Sequence, residues 1–240
     1  MQTDALYLKD SYQKTADAKV LNVLSEGPNT YRVLLDKTIF YPMGGGQPTD
    51  QGKLSSSDWS ADVYQIMMRD GEIWHYVKSP TAPTTGTTLH MEINWDRRYK
   101  NMRVHSAGHV VDFAAYLLHY SPTPLMPFKG DHGKKPFIQY QGSAGKDIKN
   151  ELEIKANELV EKNLAFTWLF QPYENLKKEA VYLQPGLPTD KPLRTLRLET
   201  VGAVADGGTQ VKHTGEVGKI QITAVEDEGV ITTVHYALAS

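Results

Sequence analysis

The spacing of apolar residues changes once along the chain, near residue 95. Before that point, short runs rich in β-branched and aromatic residues recur between turn formers, which is the pattern of β-strands. The densest run is TYRVLLDKTIFYP at 30–42, ended by Pro42 and the glycines of MGGGQP. Further strands are predicted at 18–23, 61–68, 72–78 and 88–94, separated by GPN, RDGE and SPTAPTTG. Several short strands at close spacing predict a small barrel or a sandwich.

After residue 95 the period becomes helical. Val104, Ala107, Val111, Ala114 and Leu118 fall on one face, and Gly108 alone interrupts a stretch free of Gly and Pro. A helix is predicted over 96–118 with Asp96 as its N-cap. A Pro-rich loop, SPTPLMPFKGDHGKKP, leads to a strand at PFIQYQG. Residues 147–164 read as a second helix with Ile148, Leu152, Leu159 and Val160 on one side, and 174–183 as a shorter one. Residues 194–199 alternate as a strand, and 219–225 with 230–236 form a closing hairpin around EDEG. The expected organisation is a β-rich domain over 1–95 and an α/β domain over 96–240.

Composition narrows the class. The chain has 240 residues, 40% apolar and 22% charged, which is enough to bury a core and argues against disorder. It has no cysteine, so neither disulfides nor thiolate ligands are available. The opening MQTDALYLKD lacks the form of a signal peptide, and no apolar run is long enough to span a bilayer. A cytoplasmic protein is the expectation. A net charge of −2 does not suit a nonspecific nucleic-acid binder. Local basic clusters do occur, at Arg97, Arg98, Lys100 and Arg103 and at Lys129, Lys134 and Lys135.

Three stretches carry candidate chemistry. In His105-Ser-Ala-Gly-His109 two imidazoles lie one helical turn apart on one face, where they can share a zinc ion or stand as hydrogen-bonded core histidines. Ser106 and Gly108 are poor helix formers, so their small size suggests that something approaches that face closely. In VADGGTQVKHTGEVG, Asp206 can ligate a metal, Gln210 offers only a neutral amide oxygen, and His213 follows three residues later; the same residues also suit a tight turn. In FYPMGGGQPTDQG the glycines permit either a hairpin turn or a backbone cradle for a polar ligand, but neither a Walker motif nor GxGxxG is present.

In this order the three motifs resemble the stand-alone alanyl-tRNA editing proteins of the AlaX type and the editing domain of alanyl-tRNA synthetases. That family reads FYPxGGGQPxDxG where this chain has residues 40–52, RxxxMRxHxAxH over 98–109, and CGGTHVxxTGEIG over 206–218. The resemblance covers nearly the whole chain and is closest to the medium-length class. It implies an α+β chain: a small N-terminal β-barrel domain, then an editing domain of the threonyl/alanyl-tRNA synthetase additional-domain type. It implies a trans-editing deacylase that hydrolyses alanine-specific tRNA carrying serine or glycine. The implied catalytic residues are His105, His109 and Asp206. The implied substrate contacts are Gly45, Gly46, Gln47, Arg103, Ser106 and Thr209.

The family's zinc site uses the two helical histidines plus the Cys and His of the last motif. Here those two positions are Asp206 and Gln210, a harder and weaker pair of donors. Three outcomes stay open: zinc held by His105, His109 and Asp206 with Gln210 or water in fourth place; His213 standing in for the lost histidine; or no metal. The competing functions are accordingly a metal-free tRNA-binding relative and a zinc hydrolase of another ester or amide.

Overall fold

The computed structural model describes residues 3–239. Two compact units divide the chain, Met1–Asn101 and Met102–Ser240. The first holds β1 (Asp4–Ala5), β2 (Thr15–Gly27), β3 (Thr30–Leu35), β4 (Lys37–Thr38), β5 (Gly52–Ser55), β6 (Ser60–Arg69), β7 (Glu72–Lys78) and β8 (Thr88–Ile93). Six of these close into a barrel in the order β2-β3-β7-β6-β5-β8, with antiparallel neighbours. Alternate residues point inward, so Ala18 and Val20, Val33 and Leu35, Ala61 and Val63, and Leu89, Met91 and Ile93 share one core.

The predicted strand over 30–42 stops early. Asp36 turns away to bond Lys19 through both backbone and side chain, and Ile39, Phe40 and Tyr41 enter the core as irregular chain. The glycine motif forms a tight turn in which Gln47 donates its amide to the Gly44 carbonyl at 2.9 Å. Gly45 (φ 53°) and Gly46 (φ 78°) both sit in the left-handed region, as a type I′ turn requires.

Helix α1 (Trp95–Leu117) begins in the first unit and continues into the second. Its cap is Asn94 rather than Asp96: the Asn94 side-chain oxygen accepts from the Arg97 amide at 3.0 Å. From His105 to Ala115 every residue of α1 is buried. A helix buried all round is normally apolar throughout. This one carries His105, Ser106, His109 and Asp112 inside.

The second unit continues with β9 (Met126–Asp131), β10 (Phe137–Gln141), α2 (Lys149–Glu161), β11 (Phe166–Gln171), α3 (Tyr173–Leu176), β12 (Leu193–Leu198), β13 (Gly202–Ala205), β14 (Ile220–Asp227) and β15 (Ile231–Leu238). Strands β14-β15-β10-β9 form one antiparallel sheet and β11-β12-β13 another. On the first sheet Ile138 and Tyr140, Val234 and Tyr236, and Ile220 and Ile222 are buried with period two. Helix α2 buries Leu152, Ala156 and Leu159 and packs on β14.

Two sequence expectations fail here for physical reasons. The segment read as a Pro-rich loop contains β9, because an edge strand of the sheet tolerates Pro127. The helix expected over 174–183 stops at Leu176, because Glu179 and Val181 bond the backbone of Ala203 instead.

Candidate metal centre

The centre lies in the second unit. His105 and His109 face the same side of α1, and the turn after β13 brings Asp206 against them. The Nε2 atoms of both histidines lie 3.4 Å from Asp206 Oδ1, and one donor atom from each of the three residues falls within 4.8 Å of the others. Donors about 2 Å from a tetrahedral ion stand about 3.3 Å apart, which the two His–Asp206 separations of 3.4 Å suit. His109 Nδ1 is buried without a hydrogen-bond partner. His105, His109 and Asp206 are nearly inaccessible, with side chains 4%, 10% and 4% exposed.

Asp206 is held on every side. Its Oδ1 accepts from the Gly208 amide at 3.1 Å; its Oδ2 accepts from Arg194 Nη1 at 2.9 Å and from the Gln210 amide nitrogen at 3.2 Å. Arg194 also donates to the Asp206 carbonyl and lies over the Trp168 ring. The second oxygen is thereby committed to Arg194 and Gln210, which leaves Oδ1 as the oxygen facing both imidazoles.

Burial drives the electrostatics. It pushes His105 down to about 3, with Asp206 opposing and His109 and Arg194 adding to the fall, so His105 is neutral. Burial also opposes charge on His109, but Asp206 and Asp112 overcome it and raise its pKa. For Asp206 the desolvation penalty is outweighed by His105, His109 and Arg194, which hold the carboxyl well below its usual range. Behind His109, Asp112 accepts from Tyr140 Oη at 2.8 Å and Tyr182 Oη at 2.9 Å, and burial raises its pKa.

The other residues singled out from the sequence take the following places. Gln210 is a brace: its oxygen accepts from Ser106 Oγ at 2.5 Å and its nitrogen serves Asp206. Ser106 in turn accepts from the Val211 amide at 3.1 Å, so its hydroxyl ties the turn to α1 and its proton is committed. Thr209 is fully buried in the same turn. His213 is half exposed, 4.0 Å from Glu216, and caps the short helix Thr214–Val217 rather than joining the centre. Arg103 donates twice to the Val217 carbonyl. Arg98 is fully buried in the first unit, paired with Asp50 and bonded to the Ser11 and Ile39 carbonyls, so it contacts no phosphate. Gly45, Gly46 and Gln47 belong to the turn of the first unit.

Sequence reasoning missed Arg194, Asp112 and His132. The last comes from the end of β9 and stacks on His105, with ring centroids 4.4 Å apart and planes at 27°. The only available signal was Gly108: the group that its missing side chain admits is the His132 ring.

The buried imidazole pair and the carboxylate oxygen between them form a group of donors that could hold a metal ion. Comparison with known proteins supplies the family. Residues 7–97 match the family described as class II (A) tRNA synthetases. The chain is 33% identical over 232 residues to the alanyl-tRNA editing protein AlaX-M of Saccharolobus solfataricus, covering 95% of this chain and 94% of that protein. It is 31% identical over 222 residues to AlaX-L of Pyrococcus horikoshii, covering 91% of this chain and 54% of the other. It is 31% identical over 232 residues to the alanine–tRNA ligase of Halobacterium salinarum, covering 94% of this chain and 25% of the ligase. It thus spans about half of AlaX-L, a quarter of the ligase and nearly all of AlaX-M. The chain belongs to the family of AlaX-type alanyl-tRNA editing proteins.

Proposed function

We propose that the chain is a trans-editing deacylase that hydrolyses alanine-specific tRNA mischarged with serine or glycine, with the chemistry in the second unit. The observation that carries this reading is the end-to-end match to AlaX-M together with the convergence of His105, His109 and Asp206 in the matching motifs. Water adds to the ester carbonyl carbon, the bond to the terminal ribose oxygen breaks, and that oxygen takes a proton. The free amino acid leaves as a carboxylate.

His105, His109 and Asp206 would hold one zinc ion, which when bound supplies a Lewis acid for the carbonyl or the attacking water. Arg194, Gln210 and the Gly208 amide keep Asp206 aligned. His105, which burial keeps neutral, has its Nε2 3.4 Å from Asp206 Oδ1. Burial excludes bulk water, which strengthens each of these interactions. Lys134 and Lys135 are exposed beside β10 and suit phosphate contact, as do the backbone amides of Gly45 and Gly46 in the first unit. Such binding weakens as salt rises.

A second reading rests on one observation: Asp206 is already paired with the Arg194 guanidinium at 2.9 Å, so its charge is balanced without a metal. In that reading the protein binds tRNA without hydrolysing it. Elemental analysis of the purified chain, followed by incubation with seryl-, glycyl- and alanyl-tRNA, separates the two. Zinc with selective loss of serine or glycine is the expected result. No zinc, tRNA binding and intact esters would overturn the deacylase reading in favour of the second.

A further inference from the structure

His132 has no part in the chemistry above, yet it is built into the centre with care. Its ring lies face to face with His105. Its slot exists because two positions lack side chains. A Cβ at Gly108 would stand 2.6 Å from His132 Cε1 and 2.8 Å from Tyr236 Oη, and one at Gly130 would stand 2.9 Å from His132 Nε2. Gly108 costs the helix about 1 kcal/mol relative to Ala. That cost in the middle of α1 is explained by the ring it admits.

The slot is also polarised. Tyr236 has one hydroxyl proton, which it donates to the Val104 carbonyl at 3.1 Å. The same hydroxyl is hydrogen-bonded to His132 Nδ1 at 2.6 Å. One hydroxyl on β15 therefore grips both the helix backbone one residue before His105 and the ring stacked on His105. A side chain can turn about two torsions unless its neighbours prevent it. Here the His132 ring blocks one face of His105.

We infer that His132 is a positioning residue: pinned by Tyr236 and seated in the slot at Gly108 and Gly130, it fixes the plane of the His105 ring so that Nε2 stays aimed at Asp206 Oδ1. The inference rests on the metal-centre reading of His105, His109 and Asp206. It acts in the manner of outer-shell partners, whose loss typically weakens metal binding 10–100-fold.

The test uses the full chain as His132→Phe and Tyr236→Phe. Thermal unfolding, Co(II) affinity by competition with a chromophoric chelator, and kcat and KM on seryl-tRNA are measured for each. Both variants are expected to unfold cooperatively, to bind Co(II) about tenfold or more weakly, and to lose kcat while KM stays nearly constant. Gly108→Ala, which favours the helix but invades the slot, is expected to show the same pattern. Wild-type Co(II) affinity in the variants overturns the inference. So does an affinity loss fully accounted for by unfolding, or a wild-type chain that takes up no Co(II). A wild-type chain that binds Co(II) but leaves both seryl- and glycyl-tRNA intact defeats the deacylase reading alone, and the affinity data then still decide the role of His132.

Discussion

Both units bury charged and titratable groups, and they do so differently. In the barrel unit, Arg98 and Asp50 are wholly enclosed, and their remaining bonds go to the Ser11 and Ile39 carbonyls and the Tyr41 amide. His75 spends Nε2 on Thr38 at 2.7 Å and Nδ1 on the Val33 carbonyl at 3.1 Å. The side-chain polar atoms of Arg98, Asp50 and His75 all have partners within the fold, and the pattern reads as structure. In the second unit, two imidazoles converge on one oxygen at 3.4 Å, a third stacks behind them, and a buried ring nitrogen on His109 has no partner. Buried polarity that closes on itself holds a fold together, whereas buried donors aimed at a shared point are waiting for a ligand.

The sharpest way to break this contrast is to delete a residue from each side. His105→Ala or His109→Ala should abolish Co(II) uptake and lower deacylation about 1,000-fold, the several kcal/mol that a Lewis acid supplies. The unfolding transition should stay close to that of the wild type. Asp50→Ala should do the reverse. It strands a buried guanidinium and should cost about 3–5 kcal/mol of stability, while chain that remains folded still takes up Co(II). Urea unfolding and metal titration of both variants settle it, and a fold lost in His105→Ala would mean that the centre is structural after all.

A pH experiment sharpens the same contrast within the barrel. Burial lowers His75 to about 4 from 6.5, against the pull of the Val33 carbonyl. The unfolded chain takes up a proton near pH 6.5 that the folded chain refuses until about pH 4. Stability is therefore full above pH 6.5 and falls as the pH drops through that window. The loss is about 3 kcal/mol at most for this one group. His75→Gln should flatten the slope between pH 6.5 and 4 in urea unfolding, and an unchanged slope would assign the acid sensitivity to other groups.

How much of this was legible depends on where each residue sits. The His105/His109 pair was visible because helical periodicity places them on one face, and Asp206 because its motif keeps the glycines of its turn. Five of the barrel's six strands showed as β-branched and aromatic runs between turn formers, which left a barrel and a sandwich both open; β5 did not show, since GKLS is too short to carry a pattern. His132 was hidden because Pro127 and Gly130 break the pattern that would have marked β9 as a strand. Arg194 looked like one more alternating residue of β12; only the return of β13 beside it brings Asp206 within 2.9 Å. The burial of Arg98 was not legible, because a basic cluster looks the same on a surface and in a core until its individual partners are known.

The smallest effects separate the two remaining polar side chains of the last motif. Gln210 bridges Ser106 and Asp206, and so controls how the carboxylate is turned. Gln210→Ala removes that bridge but leaves Arg194 and the Gly208 amide in place. Co(II) binding should therefore weaken about tenfold, the lower end for an outer-shell partner. His213 shares the motif but points to Glu216 at the surface. His213→Ala should leave metal binding and deacylation unchanged and shift stability by no more than about 0.5 kcal/mol. If instead His213→Ala released the metal and Gln210→Ala did not, the turn would have to rearrange around the ion. The three-residue centre would then give way to one that recruits an imidazole from outside the pocket.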